Sequence, residues 1–300
     1  MKAVLWDEPF SDPGWIYERK LDGIRCLAHR DGGGTVRLLS RTDRAMNSEY
    51  PELVEALEAE PCDDFVLDGE VVAFGSHGVT SFSRLQRRHR ERVAVFLYVF
   101  DLLRLGGEDV RERPLRERKA LLRRTLRFEG HVRYSPHRNE HGEEMYREAC
   151  RKGLEGIMAK RADSPYRATR SSDWRKLKCN AEQELVIGGF TAPQGSRTDF
   201  GALLVGYYED GTLRYAGKVG TGFDHATLNE LGERLRGLVR EDSPFVDVSP
   251  IPRGTHWVEP ELVGQIGFSE WTRDGRLRHP RYLGLRDDKA ARDVVRERPA

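Results

Sequence analysis

The apolar runs of this 300-residue chain are short. Two of them, Phe65 to Phe74 and Val93 to Leu103, are rich in valine and phenylalanine and read as buried strands rather than helices. Neither approaches the ~20 residues that a membrane helix needs, and the N-terminus carries no signal-peptide pattern. Such a chain must bury itself with short strands and a few amphipathic helices.

The order of elements follows from the same patterning. Asp31 with Gly32, Gly33 and Gly34 makes a turn, and Thr35 to Ser40 returns as the second strand of a hairpin, which is expected to deliver Ser40 and Arg41 near Lys20. A helix follows Asn47, Ser48 and Pro51, with Asn47 or Ser48 as cap and Leu53, Val54 and Leu57 at helical spacing. Pro114 opens another, with Leu115, Leu122 and Leu126 on one side, and Glu143 to Lys152 forms a third, ended by Gly153. Leu154 to Lys160 and Trp174 to Cys179 are expected to be strands that carry charged residues.

The composition shifts near Asn180, and 300 residues exceed what one ordinary core contains, so two domains are expected, 1–180 and 181–300. In the second, Leu185 to Phe190, Ala202 to Tyr208, Leu213 to Val219 and Leu262 to Phe268 are short strands, although Val263 breaks strict alternation in the last. One helix, with Leu228, Leu231, Leu235 and Leu238 on a face, interrupts them. Several short strands with one inserted helix suit a small oligonucleotide-binding barrel.

Net charge is +1 with 33% charged residues, so a nucleic-acid partner would have to be met by local basic patches. Arg84, Arg87, Arg88, His89, Arg90 and Arg92 form one, and this patch, Arg84 to Arg92, is the candidate for contact with DNA backbone. Arg111 to Arg127 is a second, but Glu112 and Glu117 interleave it, and it reads as a solvated helix face. The cysteines Cys26, Cys62, Cys150 and Cys179 have no paired spacing, which argues against zinc and against a disulfide scaffold, and for a reducing cytoplasm.

Chemistry concentrates at Tyr17 to Arg25. Lys20 stands between Glu18 and Asp22, followed by Gly23 and Arg25. A free lysine is protonated at neutral pH and becomes a nucleophile only when its surroundings favour the neutral amine. Gly23 could let a phosphate approach the backbone, and Arg25 could hold its oxygens with a planar fork. Asp68, Gly69 and Glu70, then Glu155 and Gly156, place carboxylates where a hard cation beside phosphate would be held. Lys176 and Lys178, two apart on a strand, point to one face and can reach the same phosphate.

Taken in order, Glu18-x-Lys20-x-Asp22-Gly23, Ser40-Arg41, Asp68-Gly69-Glu70, Phe100-Asp101, Glu155 to Lys160 and Lys176-Leu177-Lys178 resemble the motifs of covalent nucleotidyltransferases, the superfamily of ATP-dependent DNA ligases, RNA ligases and mRNA capping enzymes. The run Glu155 to Tyr166 and the stretch His279 to Lys289 are similar to the ligase domain of bacterial end-joining ligase D. Arg175 departs from that pattern, where relatives often carry an apolar residue.

The resemblance implies an α+β fold: an adenylation domain of antiparallel sheets with helices, then an OB-fold barrel. It implies ATP and Mg2+ or Mn2+ as cofactors. Lys20 would form a lysyl-AMP. Glu18, Arg25, Arg41, Glu70, Phe100, Lys160, Lys176, Lys178, Arg286 and Lys289 would contact the nucleotide, Glu70 and Glu155 the metal, and Arg41 also the DNA. Glu18 would sit near the adenine amino group, Phe100 would stack on the base, Arg25 with Glu70 would reach ribose and phosphate, and Arg286 with Lys289 would orient pyrophosphate. The implied reaction is the sealing of 5′-phosphate/3′-hydroxyl breaks in nicked or broken duplex DNA, in non-homologous end joining. Ku and a separate primase-polymerase are the partners it implies, for a monomer with no membrane, in the cytoplasm and on the nucleoid. An RNA ligase or a GTP-using capping enzyme is the alternative within the superfamily, and a noncatalytic nucleic-acid-binding module the alternative outside it.

Overall fold

The computed structural model describes residues 1–75, 78–89, 91–193 and 199–299. The chain divides into two compact units, Met1–Cys179 with Arg298–Ala300, and Asn180–Glu297.

In the first unit the elements run β1 (Lys2–Leu5), β2 (Trp15–Lys20), β3 (Ile24–Arg30), β4 (Val36–Ser40), α1 (Pro51–Glu58), β5 (Phe65–Ala73), α2 (Phe82–Gln86), β6 (Val95–Leu105), β7 (Glu108–Asp109), α3 (Leu115–Thr125), β8 (Val132–Tyr134), β9 (His137–Asn139), α4 (Gly142–Arg151), β10 (Gly156–Arg161) and β11 (Arg170–Lys178). They form two sheets, one in the order β1-β11-β10-β2-β9 and one in the order β4-β3-β5-β6-β7 with β8 alongside β6. β1 is parallel to β11 and β8 to β6; the other ladders are antiparallel. The second sheet carries the larger core, with Leu38, Leu53, Leu57, Phe65, Leu67, Val99 and Leu122 buried in it. Each such side chain contributes about 1.5–3 kcal/mol by leaving water.

Local chemistry departs from the sequence expectation at four places. The helix cap expected of Asn47 or Ser48 does not form: the cap residue is Tyr50, without a side-chain bond. Asn47 instead spans the hairpin edge, accepting from Leu38 N and donating to Val36 O. Gly23 has no left-handed backbone; it is required because a Cβ there would run into the Val71 carbonyl and Val72 of β5. The reading against disulfides fails at one pair, since Cys150 and Cys179 are bonded. α4 lies on the face of the sheet that ends at Cys179, and a separation of 29 residues carries no pattern that could announce the bond. Finally, the second arginine-rich patch is not wholly solvated, because Arg118 and Lys119 of α3 are buried.

The second unit runs β12 (Glu182–Thr191), β13 (Leu203–Glu209), β14 (Thr212–Val219), α5 (His225–Arg236), β15 (Val239–Arg240), β16 (Thr255–Val258), β17 (Val263–Gly267), β18 (Glu270–Trp271), β19 (Leu277–Arg278) and β20 (Arg281–Leu285). Its main sheet is a half-barrel built on β12, which pairs β13 along one edge and β17 then β16 along the other, while β17 continues to β20. Asp224 caps α5 by accepting from Thr227 N at 2.8 Å. β17 is buried at every position, so it lies between two covered faces and owes no alternation; Val263 breaks nothing.

Candidate active site

On β2 the period of two sends Ile16, Glu18 and Lys20 to one face of the sheet and Trp15, Tyr17 and Arg19 to the other. The ladder registers extend this face across the neighbouring strands. Lys20 lies opposite Gly156 and that residue opposite Lys178; Glu18 lies opposite Met158 and that opposite Lys176; Ile16 lies opposite Lys160 and that opposite Trp174. The other face is apolar, with Tyr17, Ile157, Ala159 and Leu177 against Met145 and Ala149 of α4. Four ammonium groups, those of Lys20, Lys160, Lys176 and Lys178, are thereby gathered on one surface by backbone pairing alone. Gly156 sits between two of them, and only glycine fits there because a Cβ would strike the Leu177 carbonyl.

Lys20 Nζ donates to Glu155 Oε1, with the two side chains 18% and 10% exposed. Glu155 is the residue just before β10, so the carboxylate reaches the lysine from the adjacent strand. Asp22 serves the scaffold: its carboxylate accepts from Phe82 N at 2.8 Å and so holds the start of α2.

The second sheet supplies the other wall. Arg25 lies opposite Glu70 in the β3–β5 ladder, but its guanidinium binds Asp68 through Nε and Nη2. Tyr166 donates to the same carboxylate at 2.8 Å. Burial pushes the Asp68 carboxyl up, but the Arg25 guanidinium outweighs it and holds the group below the usual carboxylate range. Phe100 is 8% exposed, with Lys160 Nζ 4.1 Å and the Arg25 guanidinium 4.8 Å from its ring centroid. Trp174 meets that ring edge-on at 5.9 Å.

Glu18 is buried. Lys119 Nζ donates to its Oε1 at 2.5 Å and Lys160 Nζ to its Oε2 at 2.7 Å. Burial raises the Glu18 carboxyl, yet the two ammonium groups prevail and keep it below its ordinary range. Burial lowers Lys160 in turn. His137, opposite Glu18 on β9, is pushed down to about 4 by burial and by the cations Lys119 and Lys160, so it is neutral at pH 7.

Lys119 received no role in the sequence reading, although a signal was present. It and Arg118 stand midway between Leu115 and Leu122, on the stripe that α3 buries, where a charge is costly unless paired. Tyr166, Trp174 and His137 were also without assigned roles, and Asp68, expected among the carboxylates for a cation, is taken up by Arg25 and Tyr166. Arg175 points to the far face, stacked over Trp6 at 3.7 Å and Trp15 at 4.4 Å, which accounts for a charged residue at an otherwise apolar position.

The remaining candidates lie elsewhere. Arg41 follows the end of β4, level with Arg25 across the hairpin, and is half-buried. Arg84 and Arg87 are exposed, as is Arg92. Arg88 differs from them: it is bound to Glu52 at 2.8 Å and lies 4.4 Å over the Tyr50 ring. Arg90 lies outside the described residues. In the second unit, Arg286 pairs with Asp288 through two bonds of 2.8 Å, and Lys289 with Glu184 at 3.0 Å.

Among the described residues there is no group of three or more His, Cys, Asp or Glu side chains that could cage a metal. Glu155, in contact with Lys20, and Glu70, opposite Arg25 on β5, are oxygen donors of the type that magnesium takes together with phosphate oxygens and water.

Residues 7–178 match the family model described as ATP dependent DNA ligase domain, and residues 196–289 match the ATP dependent DNA ligase C terminal region. The chain is 43% identical over 295 residues to the multifunctional non-homologous end joining protein LigD of Pseudomonas aeruginosa, covering 95% of this chain and 35% of that protein. It is 40% identical over 289 residues to the LigD end joining DNA repair protein of Mycobacterium tuberculosis, covering 94% of this chain and 37% of that one. It thus spans about a third of the length of these curated relatives. Among solved structures, mycobacterial DNA ligase D complexed with ATP and MES matches with a TM-score of 0.70 at 36% identity, over 99% of this chain and 98% of that one.

Proposed function

The chain belongs to the ATP-dependent DNA ligases, and from that premise we propose that it seals 5′-phosphate/3′-hydroxyl breaks in duplex DNA through a lysyl-AMP at Lys20, in the joining of broken ends. The observation that carries this reading is the row in which Lys20 shares one face with Lys176 and Lys178 while its Nζ touches Glu155.

In the first step Lys20 Nζ attacks the α-phosphorus of ATP. The N–P bond forms, the P–O bond to the β-phosphate breaks, and pyrophosphate leaves. The proton that Nζ must lose has an acceptor in contact, the Glu155 carboxylate. Lys176 and Lys178 hold the α-phosphate oxygens. Glu155 and Glu70 would hold a magnesium ion, which would supply charge neutralisation when bound. Glu18 and Phe100 receive the base. Arg286 and Lys289 orient the pyrophosphate, for which their pairs with Asp288 and Glu184 must open. A 5′-phosphate oxygen of DNA, positioned by Arg41, then takes AMP from the lysine, and the 3′-hydroxyl displaces AMP. Covalent capture divides one hard condensation into three displacements.

End joining is supported by the relatives whose names carry it, and Ku and a separate primase-polymerase are the partners expected there. The same reading has the protein act as a monomer on cytoplasmic, nucleoid DNA. Among the described residues no helix is long and apolar enough to cross a membrane.

The test is self-labelling with α-labelled ATP or GTP in magnesium, followed by denaturing electrophoresis and by sealing of nicked DNA against nicked RNA. Wild type should label with ATP and seal DNA. Lys20→Arg should lose the label, because a guanidinium stays protonated at working pH. A labelled Lys20→Arg protein would overturn the assignment of the nucleophile.

A further inference from the structure

Glu18 is 2% exposed and meets two ammonium groups, one on each carboxylate oxygen. One cation would neutralise it, so the second calls for an explanation. Lys160 comes from β10 in the sheet that also carries Glu18, whereas Lys119 comes from α3, 101 residues away in sequence. The three N–H donors of the Lys119 ammonium have three acceptors: Glu18 Oε1 at 2.5 Å, Phe100 O at 3.3 Å and Ser135 O at 3.1 Å. It therefore ties the carboxylate to the backbone of the aromatic residue beside it, and α3 is itself fixed at the adjacent Arg118, which binds Asp101.

A carboxylate held this way stays ionised and can only accept hydrogen bonds. Set in a water-poor site, it favours a base that presents an exocyclic amino group and repels one that presents a carbonyl oxygen at the same ring position, because two acceptors would then face each other unpaired. Resting on the lysyl-AMP reading above, we propose that Lys119 is a positioning and specificity-determining residue: by holding Glu18 as a fixed acceptor next to Phe100, it sets the preference for an amino-bearing purine nucleotide. Lys119 touches neither the reacting lysine nor the phosphates in this role. Its effect passes through Glu18.

The experiment compares self-adenylylation by ATP with self-labelling by inosine triphosphate, which has an oxygen where adenine has the amino group. Wild type should prefer ATP. Lys119→Met, which keeps the stem and removes the charge, should lower that preference by on the order of tenfold to a hundredfold, the size of one charge-assisted hydrogen bond. The loss should fall mainly on KM for ATP. Where the methionine variant does not fold, Lys119→Arg takes its place, since a planar guanidinium cannot repeat three convergent ammonium bonds, and the ratio should fall there too. Glu18→Gln, which can turn an amide N–H toward a carbonyl, should shift preference toward inosine triphosphate. In that background Lys119→Met should change the ratio no further.

A role confined to stability would slow both nucleotides equally and leave the ratio where it was. That result, in a folded Lys119 variant, overturns the proposal, as does an undiminished effect of Lys119→Met in the Glu18→Gln protein. A wild-type protein that takes label from neither nucleotide overturns the lysyl-AMP reading itself, which is a separate outcome from the two above.

Discussion

Arg118 and Asp101 face each other through two hydrogen bonds of 2.8 Å, and both side chains are fully buried. Arg118 also donates to Ser164 O at 2.9 Å, so one residue of α3 joins β6 to the loop after β10. Removing one partner of a buried pair leaves a charge without compensation, which costs about 3–5 kcal/mol. Arg118→Ala should therefore destabilise the protein by about that amount in denaturant unfolding. Replacing both partners, Arg118→Met with Asp101→Leu, should recover most of it. Equal losses in the single and double variants would refute the pair as the cause.

Asp68 and Glu18 both have folded-state pKa values below the unfolded carboxylate values of about 4. Each consequently adds stability that is fully present above pH ~4 and is lost as pH falls through its folded-state pKa. Unfolding free energy should drop steeply below pH ~4. Asp68→Asn should be less stable at neutral pH, because Arg25 loses its charged partner, and should have a shallower acid slope. An unchanged slope would show that Asp68 is not among the groups that titrate.

The basic patch after α2 is expected to divide by residue. Arg84→Ala with Arg92→Ala should flatten the dependence of DNA affinity on salt by about two counterion contacts, since both are exposed. Arg88→Ala should leave that slope nearly unchanged and lower thermal stability, because Arg88 is already engaged by Glu52 and Tyr50. A steeper loss of slope from Arg88 than from the other two would reverse this division.

What the sequence alone determined is local and periodic. The alternation of a strand places Lys176 and Lys178 on one face whatever surrounds them, and the ordered motifs around Lys20 brought the ligase family within reach of inspection. The short apolar runs likewise announced strands, because side chains on a pleated backbone leave little choice of face. Only the tertiary structure decided which charges meet. Arg25 takes Asp68 rather than its cross-strand neighbour Glu70, Arg175 is held by Trp6 and Trp15, Cys150 reaches Cys179, and Lys119 crosses from α3 to Glu18. The reason is physical: periodicity is set by bonds along the chain, whereas the partner of a buried charge is set by which elements exclude water around it, and those elements are distant in sequence.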